Sequence, residues 1–175
     1  TSKPEIYPHT RNSDAAAIRT SYYLPNKAAI RGEYRNFSDS WGIQASNFLI
    51  GYRQPYDNQW IFEGQIRSYT QTAASFYSDL FPYVDAQEYM ARDKEMSAFD
   101  STTFGFGVHY FIKPNWIDFL NKTKVTLQMD SMNIRYKNFR DARQSMDENS
   151  EVRRGEESMY KLDALIIRFF VSAYF

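Results

Sequence analysis

The chain has 175 residues, 43% of them hydrophobic and 18% aromatic, with 14 Tyr, 14 Phe and 3 Trp. Its 21 basic and 21 acidic residues cancel, which argues against a nucleic-acid partner, and the lack of Cys excludes disulfides and thiolate metal sites. No run of about 18 apolar residues occurs, which excludes a transmembrane helix; a mean hydropathy of -0.61 is still compatible with membrane strands, in which apolar and polar residues alternate.

Thr1 to Asp14 holds two prolines and no apolar secretory core, so any signal peptide is expected to have been removed or to lie outside this sequence. Asp14 to Leu24 alternates Ala16, Ile18, Thr20 and Tyr22 against Ala17, Arg19, Ser21 and Tyr23, which predicts a strand. Pro25-Asn26-Lys27 makes a hairpin with Ala28 to Phe37, where Ile30, Gly32 and Tyr34 oppose Arg31, Glu33 and Arg35. A turn pairing Leu24 with Ala28 also pairs Arg19 with Glu33, on the face opposite Ile18 and Tyr34. After a turn at Ser38 to Gly42, Ile43 to Arg53 is the weakest segment, because Gln44 and Ser46 continue the face of Phe48, Ile50 and Tyr52.

Gln54 to Asn58 reads as a compact turn, and Trp60, Phe62, Gly64 and Ile66 then alternate with Glu63, Gln65, Arg67 and Tyr69. In the long connection Thr72 to Asp100, Asp85 to Met96 predicts one short helix capped by Asp85. Phe104, Phe106, Val108, Tyr110 and Ile112 oppose Thr103, Gly105, Gly107 and His109 until Pro114 ends the strand. A turn through Asn115 to Asn121 leads to Val125, Leu127 and Met129, which oppose Lys124, Thr126, Gln128 and Asp130. The apolar set then changes parity to Met132, Ile134 and Tyr136, for which a β-bulge near Asp130 or Ser131 would account. Phe139 to Ser158 is dense in both charges and reads as a mobile loop. All six prolines are expected outside strand interiors.

The closing stretch, Tyr160 to Phe175, carries Leu165, Ile167, Phe169, Val171, Ala173 and Phe175 as an unbroken apolar row. This resembles the C-terminal signal of bacterial outer-membrane β-barrel proteins, which implies that Phe169, Val171, Ala173 and Phe175 serve as an assembly signal. The expected fold is all-β, an antiparallel up-and-down transmembrane β-barrel. Residues 1–13 form an outside loop or N-terminal extension and 14–175 the wall. The resemblance puts the short turns at Pro25, Pro55 and Pro114 in the periplasm and the connections Thr72 to Asp100 and Phe139 to Ser158 outside. Tyr22, Tyr52, Trp60 and Tyr110 then form an inner aromatic girdle and Tyr34, Phe104 and Tyr136 an outer one. Seven strands are an odd number, so the barrel is not expected to close unaided; further strands from the same or another chain would complete it.

The segments Arg67 to Asp79 and Arg92-Asp93-Lys94-Glu95 resemble a domain-of-unknown-function family of bacterial envelope proteins, predicted outer-membrane barrels. The likeness runs from Thr20 to Phe175. It implies a Gram-negative outer-membrane location and, since its members are longer, a C-terminal portion of a larger barrel.

Alternation places Arg19, Arg31, Glu33, Arg35, Arg53, Glu63, Arg67, His109, Lys124, Asp130 and Arg168 on the face opposite the apolar one, as lumen-lining residues. They suit either an anion-favouring pore or a filled interior of paired charges. His109, expected beside Lys124 with no G-x-S-x-G or H-E-x-x-H nearby, reads as structural, and no enzyme activity is expected. Asp79, Asp85, Glu88, Asp93, Glu95 and Asp100 match no EF-hand spacing and read as a solvated helix face, so neither metal nor cofactor is implied. Phe76, Tyr77, Leu80, Phe81, Tyr83 and Tyr89 make the long connection apolar enough to fold over the barrel mouth or to bind a partner. The expected role is an envelope scaffold or anchor that docks a partner through its long loops, with the bilayer and the outer-membrane assembly machinery as further partners. A pore or transporter with a basic lumen and a soluble secreted β-sandwich binding protein are the alternatives.

Overall fold

Alternation of period two becomes seven strands: β1 (Ser13–Tyr23), β2 (Ala29–Asp39), β3 (Gln44–Tyr56), β4 (Trp60–Gln71), β5 (Phe99–Ile112), β6 (Lys122–Arg140) and β7 (Met159–Tyr174). The computed structural model describes residues 5–83, 86–112, 122–146 and 151–174. Each strand lies antiparallel beside the next in chain order, so one up-and-down sheet runs from β1 to β7. These two strands are its edges and do not pair with each other; every residue of β1 is exposed. The first hairpin has the predicted register, with the Leu24 N–H donating to the Ala28 carbonyl at 2.8 Å and Arg19 opposite Glu33.

Directly paired residues share a face. The register therefore aligns Ile18, Tyr34 and Phe48, and further along Phe106, Met129 and Ile167, on one side. That side carries most of the exposed large hydrophobic residues, among them Ile18, Phe48, Phe104, Phe106, Leu165 and Phe169. Its charges gather only at the end of the longer connections, where Arg135 meets Asp163 at 2.7 Å and Lys137 meets Asp100 at 2.7 Å. Gln44 and Ser46 belong to this polar margin, so β3 is a full member of the sheet.

Several expectations are corrected. The ladder passes Asp130 and Ser131 without a bulge, and the register shift lies between Arg135 and Arg140. Met132, Ile134 and Tyr136 consequently stay on the side of Asp130, and Tyr136 is buried against Phe99 and Tyr160 instead of joining an outer girdle. Pro55 lies inside β3, opposite Ile61; the β2 ladder has already ended at Arg53, so its missing N–H sits where β3 has one neighbour. Instead of a helix from Asp85 to Met96, the described residues form one 3₁₀ turn, Lys94–Met96. The backbone there bonds elsewhere: the Met90 N–H donates to the Ile6 carbonyl at 2.9 Å and the Ala91 N–H to that of Phe76 at 3.1 Å. Asp85 and the turn after Pro114 fall outside the described residues.

A compact apolar cluster sits at the end of the sheet with the longer connections. Ile43, Ala74, Phe76 and Ala91 are buried there, with Tyr7, Trp41, Tyr77, Tyr89 and Met96 packed around them. Asp39 holds this cap together. Its Oδ1 accepts from the Trp41 and Ile43 N–H groups at 3.0 and 2.9 Å, and its Oδ2 from Arg11 Nε at 2.7 Å. The turn it caps ends on Gly42, whose φ of 86° a side chain would strain. Replacing Asp39 with Ala removes a charged acceptor from all three donors, and we expect a loss on the order of 2 kcal/mol in the cap. Limited proteolysis should then cut near Arg11 while the strands remain protected.

Candidate functional site: the charged face of the sheet

The second face collects the charges. Arg19, Glu33, Arg35, Arg31, Arg53, Glu63, Arg67, His109, Lys124, Asp130 and Arg168 all project to this side, because β1 to β5 present odd positions and β6 and β7 even ones. Many are joined across strands. Arg19 Nε donates to Glu33 at 2.7 Å, Arg31 Nη2 to Gln65 at 3.2 Å, and Arg168 to Asp130. Arg53 lies 3.3 Å from Glu63. Arg35, Arg67 and Lys124 have no ion pair among the described residues.

Gly105 clears the way for these long side chains. A Cβ on Gly105 would meet Asp130 Oδ1 at 2.5 Å and Gln65 Cγ at 2.8 Å, whereas at Gly107 the nearest atom is 3.6 Å away. The hollow above them, about 360 Å³, is walled by Arg31, Glu63, Gln65, Asp130 and Arg168. A second hollow of about 650 Å³ lies toward the cap, between Arg35, Arg67, Phe37, Tyr69, Phe99 and Met132. We expect Gly105→Ala to push Asp130 away from Arg168 and to lower thermal stability more than Gly107→Ala does, as read by unfolding of the two purified variants.

His109 faces Thr126 across the ladder; Lys124, the neighbour expected from the sequence, stands opposite Phe111. His109 Nδ1 lies 3.0 Å from Thr126 Oγ1, and Nε2 is 3.2 Å from Glu63 Oε2 but poorly aligned for a hydrogen bond. A hydroxyl, imidazole and carboxylate in a row have the chemistry of a nucleophilic triad. Thr126 and His109 are buried, however, and line neither hollow, so the row joins β4 to β6 and meets the hollow of about 360 Å³ only at its Glu63 end.

The apolar residues of the long connection divide. Phe76 is buried, Tyr89 packs beside it, and Tyr77, whose hydroxyl donates to the Asn138 carbonyl at 3.0 Å, has its pKa raised chiefly by burial. Leu80 and Tyr83 are exposed and Phe81 half-buried. The acidic residues there are dispersed: Asp79 accepts from Arg140 at 3.0 Å, Asp100 pairs with Lys137, and Asp93 caps the 3₁₀ turn. In the closing row, Phe169, Val171 and Ala173 lie on the apolar face, and Phe175 falls outside the described residues.

Residues 2–153 match the family described as protein of unknown function, DUF3570. The chain belongs to that family. No curated protein and no solved structure matches it. The match takes in the N-terminal segment and stops short of β7, whereas the likeness read from the sequence began at Thr20 and ran to the end.

In this DUF3570 member the described residues of the β6–β7 connection, 141–146 and 151–158, carry a short helix and side-chain hydrogen bonds where the sequence predicts an irregular loop. Arg140 still belongs to β6, α1 (Arg143–Met146) follows, and the Arg143 guanidinium stands 5.2 Å from the Tyr160 ring. The hydrogen bond from Arg143 holds the Asp141 carboxyl below its ordinary range, and bonds from Ser145 and backbone N–H groups, including that of Gly155, do the same for Glu157. Lowered folded pKa values give a contribution that is complete above the ordinary carboxylate value of about 4 and is lost as pH falls through the folded values. The Gly155 amide resonance should therefore shift on acidification with a midpoint below that of an unstructured Glu, and the transition should vanish in Glu157→Gln.

Proposed function

We propose that the chain forms part of the wall of an integral outer-membrane β-barrel, serving as an envelope scaffold whose cap docks a partner. The carrying observation is the exposed apolar face, which continues through all seven strands and is charge-free below the margin formed by Asp14, Asp100, Arg135, Lys161 and Asp163. A face of this extent needs an apolar partner. Among the described residues no second sheet or helix layer covers it, which disfavours a soluble sandwich. From Phe104 to Ile112 and from Leu165 to Ala173 the apolar stretches hold nine residues each, the roughly 9–11 that a tilted membrane strand requires. Tyr22, Tyr52, Trp60 and Tyr110 stand on the same face toward the short turns, as an interfacial girdle would. The C-terminal row fits the assembly signal that the sequence resembles.

Scaffold is favoured over pore because all three acids named on the charged face are taken up in cross-strand pairs, Arg19–Glu33, Arg53–Glu63 and Arg168–Asp130, the pattern of a filled interior, with Arg31, Arg35, Arg67 and Lys124 leaving a net basic remainder. The exposed Leu80 and Tyr83 on the cap are the docking residues in this reading. The chain should require detergent for extraction and show heat-modifiable migration. Ile167→Lys, placed in the middle of the apolar face, should prevent insertion at a cost of about 2–4 kcal/mol, while Gln128→Lys on the charged face should insert normally. A chain that folds and stays soluble without detergent would overturn the reading.

A further inference from the structure

We propose that the hollow beneath the cap binds an organic oxyanion, a carboxylate or phosphate ester with an apolar body, through Arg35 and Arg67. The register puts these two arginines on neighbouring rows of the charged face: Arg35 lies in the row of Asn47 and Tyr69, and Arg67 in the row of Glu33 and Leu49. Both line the same space of about 650 Å³. Every other cation of that space is committed, since Arg11 is held by Asp39 at 2.6 Å, and Glu33 is already taken by Arg19. Glu95 is the one uncommitted carboxylate lining the hollow among the described residues, leaving two guanidinium groups against a single acid. A guanidinium fork matches an oxyanion with two parallel hydrogen bonds, so a pair of forks left over in one hollow is equipped for one.

The remaining wall identifies the rest of the ligand. Phe37, Tyr69, Phe99, Met132 and Ile134 face the same space. The last two are the residues whose parity suggested a bulge; with the strand running straight, they add apolar surface to the charged face beside the two arginines. Small-molecule sites have this composition and run from about 300 to 1,000 Å³. Free phosphate would leave the apolar wall unused, and a neutral aromatic would leave the arginines unmatched. The inference does not depend on the membrane assignment, because the hollow lies on the charged face in either case.

The test is calorimetric titration of the full chain, in detergent or in buffer as its extraction behaviour dictates, with phenyl phosphate, inorganic phosphate and phenol. Phenyl phosphate should saturate one site and bind at least about tenfold tighter than inorganic phosphate, the factor expected from burying one ring, while phenol should not bind. The double variant Arg35→Gln, Arg67→Gln should weaken phenyl phosphate at least about tenfold with unchanged thermal unfolding, and Glu95→Gln should tighten it. Equal affinity for the two phosphates would reduce the site to a simple anion contact and overturn the proposal. So would absence of saturation, or wild-type affinity in the folded double variant. A soluble chain that binds phenyl phosphate would defeat the membrane reading and leave this one standing.

Discussion

An antiparallel ladder that keeps its register from β1 to the far half of β6 is the constraint on which everything else rests. With a side-chain period of two, one slipped residue in any strand would exchange the two faces from that strand onward. Because no slip intervenes, Ile18 and Ile167, on the first and last strands, fall on one side and Arg19 and Arg168 on the other. The single irregularity lies beyond Arg135, past the apolar stretch, where exchanging faces no longer mixes charge with hydrocarbon surface.

Segregation of this kind inverts the usual placement of hydrophobic residues. The sheet leaves most of its large aliphatic and aromatic side chains bare and turns the ion pairs Arg19–Glu33, Arg53–Glu63 and Arg168–Asp130 toward the hollows, while the small buried cluster sits in the cap of connections. Glycine positions follow from the same inversion. Gly105 and Gly107 lie where Asp130, Gln65 and Glu63 cross between strands, and a side chain at Gly105 would compete with them for the same space. Polar partners thus do on the charged face what packing does in an ordinary core: they fix neighbouring strands relative to one another.

Much of this was legible in the sequence wherever one residue type alternated cleanly. Arg19 opposite Glu33 followed from turn length alone, and the eleven residues assigned to the polar side share a face because strand parity is a local property. The misreadings arose where a residue's partner is distant in the chain. Met132, Ile134 and Tyr136 suggested a bulge because an apolar residue on a polar face makes no local sense; Phe99, Tyr69 and Phe37, which surround the same hollow, come from three other strands. The Asp85 to Met96 helix failed for the same reason, since the segment's hydrogen bonds go to Ile6 and Phe76. Phe76 and Tyr77 were legible only as residues that either fold over the end of the sheet or bind a partner, and their neighbours in the cap come from distant segments.

The bridge between Ile6 and Met90 also constrains the order of events in folding. Local hairpins such as β1–β2 need only a few residues of loop closed, whereas this bridge joins segments separated by most of the first half of the chain. Such contacts carry a high loop-closure entropy until the intervening strands have been paired. The N-terminal segment, with Tyr7 on Trp41 and Phe76 and the Glu5 carboxylate accepting from the Arg92 N–H, therefore behaves as a late latch: it locks an arrangement that the ladder has already set and contributes little to starting it.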